Sequence, residues 1–224
     1  MIKLTKLKLS SELIGMCQRW LEELKRCANE GVRPNENLLR RFRHADLKEK
    51  LISETSGKCA YCESKLRHIC PGDVEHIIPK SVKPENRFEW KNLTLACPEC
   101  NNAKRDYYSE AFPLVDPYED DPEKEIVFAG AEIQESECSP KGETTTRELH
   151  LNRKELREER ARHLAFLGEK LKGYHRAGAS EYEQHVYHLN IWDFAQKDQP
   201  YAGMCRQYIR NRGVPPDPKN RPLR

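Results

Sequence analysis

The stretch that decides the fold lies between Cys59 and Lys104, where four short motifs follow one another. They are Cys59-Ala-Tyr-Cys62, Asp73-Val-Glu75-His76-Ile-Ile-Pro79, Trp90-Lys-Asn92-Leu93 and Cys97-Pro-Glu-Cys100-Asn101-Asn102-Ala-Lys104. Two Cys-x-x-Cys pairs thus bracket a carboxylate, a histidine and several asparagines. This arrangement predicts a metal-braced unit that holds a polar site between the two pairs.

The four cysteines predict a structural zinc site. Thirty-four residues separate the two pairs, and each pair supplies two thiolates from one tight turn, as in zinc sites with four cysteine ligands. Such a site has no open coordination position, so its zinc would brace the fold and would not catalyse a reaction. Redox-active cysteines are the alternative interpretation.

The dipeptide Glu75-His76 carries groups that hydrolysis of a phosphodiester requires. A carboxylate can bind a divalent cation, and an imidazole can take a proton from water near neutral pH. Adjacent side chains of a strand point to opposite faces, however, so a bend at Ile78-Pro79 or ligation from the end of the strand must bring the two together. Alternatively, His76 is a strand histidine whose ring bonds to a backbone carbonyl.

Asparagines supply further oxygen ligands at the start of a predicted helix. Asn101, or its neighbour Asn102, offers an amide oxygen, and an all-oxygen ligand set favours Mg²⁺ or Mn²⁺ over a second Zn²⁺. Asn101 could instead cap the helix, and Asn92 could simply hydrogen-bond a loop.

These motifs resemble the HNH endonuclease family, whose ββα-metal fold is often braced by two Cys-x-x-Cys turns. The resemblance covers less than a quarter of the chain. It implies that His76 is the general base and Glu75 the acidic metal ligand. Asn92 would fix the loop between the strands and orient His76, and Asn101 would be the further metal ligand where the family name expects histidine.

Two basic residues follow the asparagines by one helical turn. Lys104 and Arg105 could hold the phosphate backbone of a nucleic acid. The alternative is an ordinary solvated helix face.

The flanking segments suggest a narrower resemblance, to the nuclease subunit of Septu-type anti-phage systems, which also occur beside retrons. The segments are the helix around Trp20, Gly57-Lys-Cys-Ala-Tyr-Cys-Glu63, Phe112-Pro-Leu-Val-Asp-Pro117 and Leu149-His-Leu-Asn-Arg153. This resemblance implies an ABC/AAA-like ATPase partner that restrains the nuclease.

Apolar periodicity predicts helices on both sides of the motif region. One begins at Ser10 or Ser11 and ends before Gly31, and a second runs from about Leu38 to Ile52. Asn152 and Ser180 can cap two more, and a shorter helix follows Tyr201. The predicted class is α+β: an N-terminal helical region (1–56), the zinc-braced ββα core (57–110), an irregular meander (111–146), a C-terminal helical region (147–212) and a flexible tail (213–224).

Composition limits the possible partners and the location of the protein. The net charge of +3 is too small to require a polyanionic partner, so a nucleic-acid surface must come from local clustering. Since no apolar run approaches 18 residues and no signal peptide is evident, the sequence predicts a cytoplasmic protein without membrane contact.

The sequence therefore predicts a metal-dependent endonuclease. DNA is the favoured substrate, and RNA remains open. The competing hypothesis is a non-catalytic zinc module that binds nucleic acid or a partner protein, which would have no need of Glu75, His76 and Asn101.

Overall fold

The computed structural model describes residues 1–66, 68–134, 139–217 and 219. The fold is α+β, as predicted, with two small sheets among helices. The helices are α1 (Ser11–Asn29), α2 (Glu36–Arg40), α3 (Ala45–Glu54), α4 (Pro98–Lys104), α5 (Pro122–Glu125), α6 (Pro140–Glu148), α7 (Lys154–Tyr174), α8 (Glu181–Asp193) and α9 (Ala202–Arg210); the strands are β1 (Asp73–His76), β2 (Leu93–Ala96), β3 (Val127–Ala129) and β4 (Glu132–Gln134).

Two predicted helix starts are confirmed. The Ser10 side chain accepts a hydrogen bond from the backbone N–H of Leu13 at the start of α1. Ser180 and Glu183 form a reciprocal capping box at the start of α8. In both places a serine oxygen binds a backbone N–H that has no partner within the helix, which is the usual function of a cap.

The second helix was predicted as one element, and this was wrong. A 3-10 turn at Arg41–Arg43 separates α2 from α3. His44 then has ψ of 137°, outside the helical range, and its ring accepts from the backbone N–H of Asp46 to cap α3. The apolar spacing continued through this break because both short helices pack on the same core, where Leu38 and Leu47 are fully buried.

Asn152 does not cap α7. The helix begins two residues later, and Arg153 at the cap position makes no side-chain cap bond. The Asn152 amide instead accepts from the backbone N–H of Ile133 (2.8 Å) and donates to the carbonyl of the same residue (2.7 Å). It thus pairs with β4 as a neighbouring strand would.

Strands β1 and β2 pair antiparallel, with Val74 opposite Leu95 and His76 opposite Leu93. Helix α4 follows β2 almost directly and completes a ββα unit. Residues 77–92 form the loop between the two strands. Both alternating positions of β2 are buried, because the rest of the chain covers this sheet.

The segment 111–146 has more regular structure than predicted. It contains α5, the β3–β4 hairpin and α6, and the strand expected around Ile126-Val-Phe128 is present as β3. Gln207 of α9 binds this segment by accepting from the backbone N–H of Phe128 (2.9 Å) and donating to the carbonyl of Ile126 (2.7 Å).

One large hydrophobic core joins these regions. Its buried members come from every predicted region and include Leu13, Leu51, Leu95, Ile126, Leu167, Met204 and Val214. Within the predicted tail, Val214 and Asp217 are buried and the carbonyl of Pro215 accepts from Trp192. Residues 218 and 220–224 of that tail lie outside the described residues. In the part of the chain that the structure describes, no helix combines the length and apolarity needed to cross a membrane.

Candidate metal centre and active site

The four cysteines of the two Cys-x-x-Cys pairs meet in one buried cluster. Their sulfur atoms lie within 4.8 Å of one another, and the Sγ atoms of Cys62 and Cys97 are 3.8 Å apart. Four sulfurs held ~2.3 Å from a zinc ion at tetrahedral angles are themselves ~3.8 Å apart. The residues therefore fit a tetrahedral zinc ion in both ligand type and spacing.

Local backbone bonds shape each cysteine turn. In the first turn the backbone N–H of Glu63 donates to the carbonyl of Cys59, and Glu63 has φ of 63°. Ala60 N–H donates to the carbonyl of Leu95 (2.8 Å), which ties this turn to β2. In the second turn the Cys97 sulfur accepts from the backbone N–H of Cys100 and so caps α4.

Arg153 completes the surroundings of the cluster. Its Nη1 lies 3.7 Å from the Cys100 sulfur and its Nη2 lies 4.0 Å from the Cys97 sulfur. Burial acts to lower the pKa of Arg153, but the negative cysteine sulfurs, Cys100 first, raise it above its ordinary value. Four thiolates around Zn²⁺ carry excess negative charge, which this guanidinium offsets. Spacing alone gave Arg153 no role, because 53 residues separate it from Cys100.

Glu75 faces α4 and is paired with a lysine. Lys104 Nζ donates to Glu75 Oε1 and to the backbone carbonyl of His76, both at 2.8 Å. Burial raises the pKa of Glu75, and the charge of Lys104 partly offsets this rise. Lys104 is only 1% exposed. It therefore does not lie on a solvated helix face, and its ammonium is held by the Glu75 carboxylate and the His76 carbonyl. Its contact with a phosphate stays a prediction.

His76 lies on the other face of β1. Its ring is 3% exposed and packs edge-on against Phe42, with 4.6 Å between ring centroids. Nε2 lies 2.9 Å from the carbonyl oxygen of Arg87. Since a carbonyl can only accept, Nε2 carries the proton and Nδ1 carries the lone pair. Burial lowers the pKa of His76 to about 4, so the ring is neutral at pH 7.

Nδ1 is the atom of His76 that remains for chemistry. It has no hydrogen-bond partner among the described residues, whose only bond to this ring is the one at Nε2. Phe42 packs on the ring and the Arg87 carbonyl accepts from it, and neither contact could be inferred from the local motif.

Glu75 and His76 are not brought to one point in this structure. The expected bend at Ile78-Pro79 does not turn them together, because each keeps the side of the strand that alternation gives it. Asn92 fixes the backbone that follows: its Oδ1 accepts from the N–H of Ile78 (2.7 Å) and its Nδ2 donates to the Ile78 carbonyl (2.9 Å). A further bond from Nδ2 to the carbonyl of Asn86 (3.3 Å) spans the loop.

Asn101 lies inside α4, and Cys97 rather than Asn101 caps that helix. The Asn101 amide donates to Asp73 Oδ2 at 2.9 Å. Asn102 and Arg105 are exposed. Asp73, which sequence reasoning left without a role, is on the same face of β1 as Glu75 because two positions separate them.

The oxygens of Asp73, Glu75 and Asn101 fit a hard divalent cation in ligand type. Lys104 now supplies the positive charge beside Glu75, so a cation would have to displace this lysine or share the carboxylate with it. Among the described residues, only the four cysteines bring three or more cysteine, histidine or carboxylate ligand atoms within 4.8 Å of one another. The proposed divalent-cation site therefore has fewer converging ligand atoms than the four-cysteine zinc site.

Comparison with known proteins agrees with this geometry. Residues 59–106 match the family model described as HNH endonuclease. The ββα unit with its four-cysteine cluster is thus an HNH domain.

Two curated relatives extend the likeness beyond that domain. The chain is 33% identical over 107 residues to a Septu protein PtuB of Bacillus thuringiensis, covering 47% of this chain and 41% of that protein. It is 30% identical over 152 residues to a Septu protein PtuB of Bacillus mycoides (strain KBAB4), covering 54% and 52%. The chain spans about half the length of the curated relatives that it matches.

Proposed function

We propose that this chain is a metal-dependent endonuclease that hydrolyses phosphodiester bonds, with DNA as the favoured substrate and RNA as the alternative. The observation that carries the proposal is the HNH match over residues 59–106, since this segment contains a buried, neutral histidine with one ring nitrogen fixed by a backbone carbonyl. The cytoplasm is the proposed location.

The zinc ion has a structural role in this proposal. Cys59, Cys62, Cys97 and Cys100 saturate its coordination, so it holds the first cysteine turn, β2 and α4 together. Arg153 balances the charge of the thiolates. The chemistry takes place beside this centre, on β1.

His76 is the proposed general base. Its bond to Arg87 fixes the tautomer and leaves the Nδ1 lone pair to accept a proton from the attacking water. Asn92 has a positioning role: it holds the backbone at Ile78, two residues after the base, and spans the loop that also contains Arg87.

Glu75 and Asn101 are the proposed ligands of a Mg²⁺ or Mn²⁺ ion, with Asn102 as the alternative to Asn101. Asp73, bonded to Asn101, adds a third oxygen donor. When bound, such an ion supplies positive charge that stabilises the negative charge developing on the phosphate oxygens. Arg105, exposed at the end of α4, is a candidate phosphate contact.

The similarity to two proteins named Septu protein PtuB supports a role in anti-phage defence. We infer that an ABC/AAA-like ATPase is the partner and restrains the nuclease.

Cleavage by purified protein tests the proposal. Plasmid DNA, single-stranded DNA and RNA are incubated with the chain, alone and with the proposed ATPase partner, in Mg²⁺, Mn²⁺ or EDTA. Cleavage that requires the divalent cation is expected. Binding of nucleic acid without cleavage in every condition would favour the non-catalytic zinc module instead.

A further inference from the structure

A cavity of about 230 Å³ opens beside the end of β1. Ile77 and Ile78, the two residues after His76, form one wall, and Lys104 forms another. Because Lys104 is bonded to Glu75 and to the His76 carbonyl, the cavity adjoins the proposed active site. Its volume is below the ~300–1,000 Å³ of pockets for drug-sized ligands, so it suits a single ring system.

Aromatic and apolar side chains form most of its lining. Tyr61, Tyr107 and Tyr108 contribute three phenol rings, and Leu114 and Val115 add aliphatic surface. Tyr108 is 36% exposed. Tyrosine faces bind planar heterocycles by stacking, whichever base is present.

Tyr61 lines the cavity and carries a buried hydroxyl. The side chain is 1% exposed, and its hydroxyl has no hydrogen-bond partner among the described residues. Burial raises the pKa of Tyr61, and the negative charges of Glu75 and Asp116 raise it further. A buried hydroxyl without a partner carries a desolvation cost.

The charge of the lining selects against phosphate. Asp120 is neutralised by Lys141 at 2.8 Å, whereas Asp116 and Glu119 form no close ion pair among the described residues, and Lys6 acts on Asp116 only at longer range. Asp116 Oδ1 accepts from the backbone N–H groups of Tyr118 and Glu119, and its Oδ2 accepts no bond from the described chain. Burial raises the pKa of Asp116. This carboxylate is suited to an N–H donor.

Basic side chains lie outside the cavity, toward His76. Lys83 Nζ is 5.7 Å from the centre of the Tyr108 ring, and Lys80 Nζ is 5.9 Å from the centre of the Phe42 ring, which packs on His76. The loop that holds both lysines thus connects the cavity mouth to the catalytic histidine. Lysines at this position suit the phosphates of a strand whose base enters the cavity.

We propose that this cavity binds one unpaired nucleobase of the substrate strand, next to the bond that is cut. The inference rests on the proposed nuclease function and narrows its substrate. A base can enter only after it leaves the stack, which costs free energy in a duplex and much less in a single strand or loop. The chain therefore selects single-stranded or looped nucleic acid, and Asp116 favours a base with an amino group, such as cytosine.

Binding to short single strands tests this inference. The full chain carrying His76→Ala, checked for zinc content, is titrated with oligo(dC), oligo(dT) and an abasic strand of equal length. We expect Tyr108→Ala, added to this background, to weaken oligo(dC) binding by roughly 5- to 150-fold, the range for loss of one base stack, and to leave the abasic strand unaffected. Lys83→Ala should weaken all strands equally, and Tyr182→Ala, exposed on α8, should change none.

Asp116→Asn gives a second, independent readout. Asparagine can still accept from the backbone of residues 118 and 119, but it presents an amide in place of a free carboxylate oxygen. The preference for oligo(dC) over oligo(dT) should therefore shrink by roughly tenfold, as expected when a hydrogen bond to a charged group is lost. An unchanged preference would contradict the role of Asp116.

Three outcomes would overturn the inference. The abasic strand could bind as tightly as oligo(dC), Tyr108→Ala could weaken both strands equally, or Tyr108→Ala could release a copurifying protein partner without affecting oligonucleotides. Base-selective binding without any cleavage by the wild-type chain, both alone and with the ATPase partner, would refute the nuclease and leave the cavity assignment intact. Cleavage without base-selective binding would refute the cavity assignment and leave the nuclease proposal intact.

Discussion

The four cysteine sulfurs converge within 4.8 Å of one another, whereas Glu75 and His76, adjacent in sequence, diverge to opposite faces of β1. The cysteines come from two turns, and each turn presents both of its sulfurs to the same side. A strand instead points the side chains of adjacent residues to opposite faces. Local turn geometry therefore builds each half of the metal brace, while the proposed active site depends on side chains from distant segments.

Loss of one cysteine should have the largest effect. We expect Cys97→Ser to release the metal and unfold the ββα unit, because structural zinc contributes about 10–16 kcal/mol in small domains, as much as a typical protein's whole stability. Zinc content and thermal unfolding measure this. Cys27→Ser, on α1 outside the cluster, is the control, and one retained equivalent of zinc with an unchanged melting temperature in Cys97→Ser would contradict the assignment.

At the proposed active site, Lys104→Met should lower the free energy of unfolding by about 3–5 kcal/mol, because it leaves the buried Glu75 carboxylate without its partner. Arg105→Gln, at the next and exposed position, should stay within about 0.5 kcal/mol of wild type. The double variant with Glu75→Gln should regain much of the loss. Equal stability of the Lys104→Met and Arg105→Gln chains in urea unfolding would show that the pair is unimportant.

Arg153→Gln should have a smaller effect on the cysteine cluster than loss of a cysteine ligand. Since Arg153 offsets the charge of the thiolates without binding metal, we expect zinc affinity to fall by roughly 10- to 100-fold, as when an outer partner of a metal site is removed. Competition with a chelator gives the affinity. Arg157→Gln, which removes a surface ion pair with Glu132, should leave the affinity unchanged, and the same result for Arg153→Gln would remove its proposed role.

The smallest expected effect is on the pH dependence of stability, through a second, half-buried imidazole. His163 packs between Phe194 and Tyr201, and burial lowers its pKa below the ordinary 6.5. The unfolded chain therefore takes up a proton as pH falls below about 6.5 while the folded chain resists it, so stability falls toward acid pH. His163→Phe should make the melting temperature fall less between pH 7 and 5.

For that measurement the exposed residue His175, changed to Phe, is the control. A pH slope in His163→Phe as steep as in wild type would mean that the ring is not held neutral by burial. The result bears on His76 as well, since both rings have a pKa lowered chiefly by burial.

The parts that the sequence predicted correctly are local. The Cys-x-x-Cys spacing predicted the cluster, and Ser10 and Ser180 predicted helix starts, because each rule involves residues within a few positions. The ββα order followed from a short alternation of apolar residues on either side of a loop.

The parts that the sequence missed depend on distant contacts. Lys104 pairs with Glu75 across 29 positions, and Phe42 covers His76 from a different segment. Asn152 binds β4 instead of capping α7, because a tertiary partner at Ile133 satisfies its amide. Composition and spacing contain no signal for such pairs, so the cover of Phe42 over His76 could not be foreseen. The bond of the His76 ring to a backbone carbonyl is the alternative that the sequence left open.

The most direct test of the account is the cleavage rate of His76→Ala against wild type, at equal zinc content and in the presence of the ATPase partner if wild type requires it. We expect His76→Ala to cleave at least about 100-fold more slowly, as when a general base is removed, and His175→Ala to cleave at the wild-type rate. Equal cleavage by His76→Ala and wild type would contradict the assignment of His76 as the base.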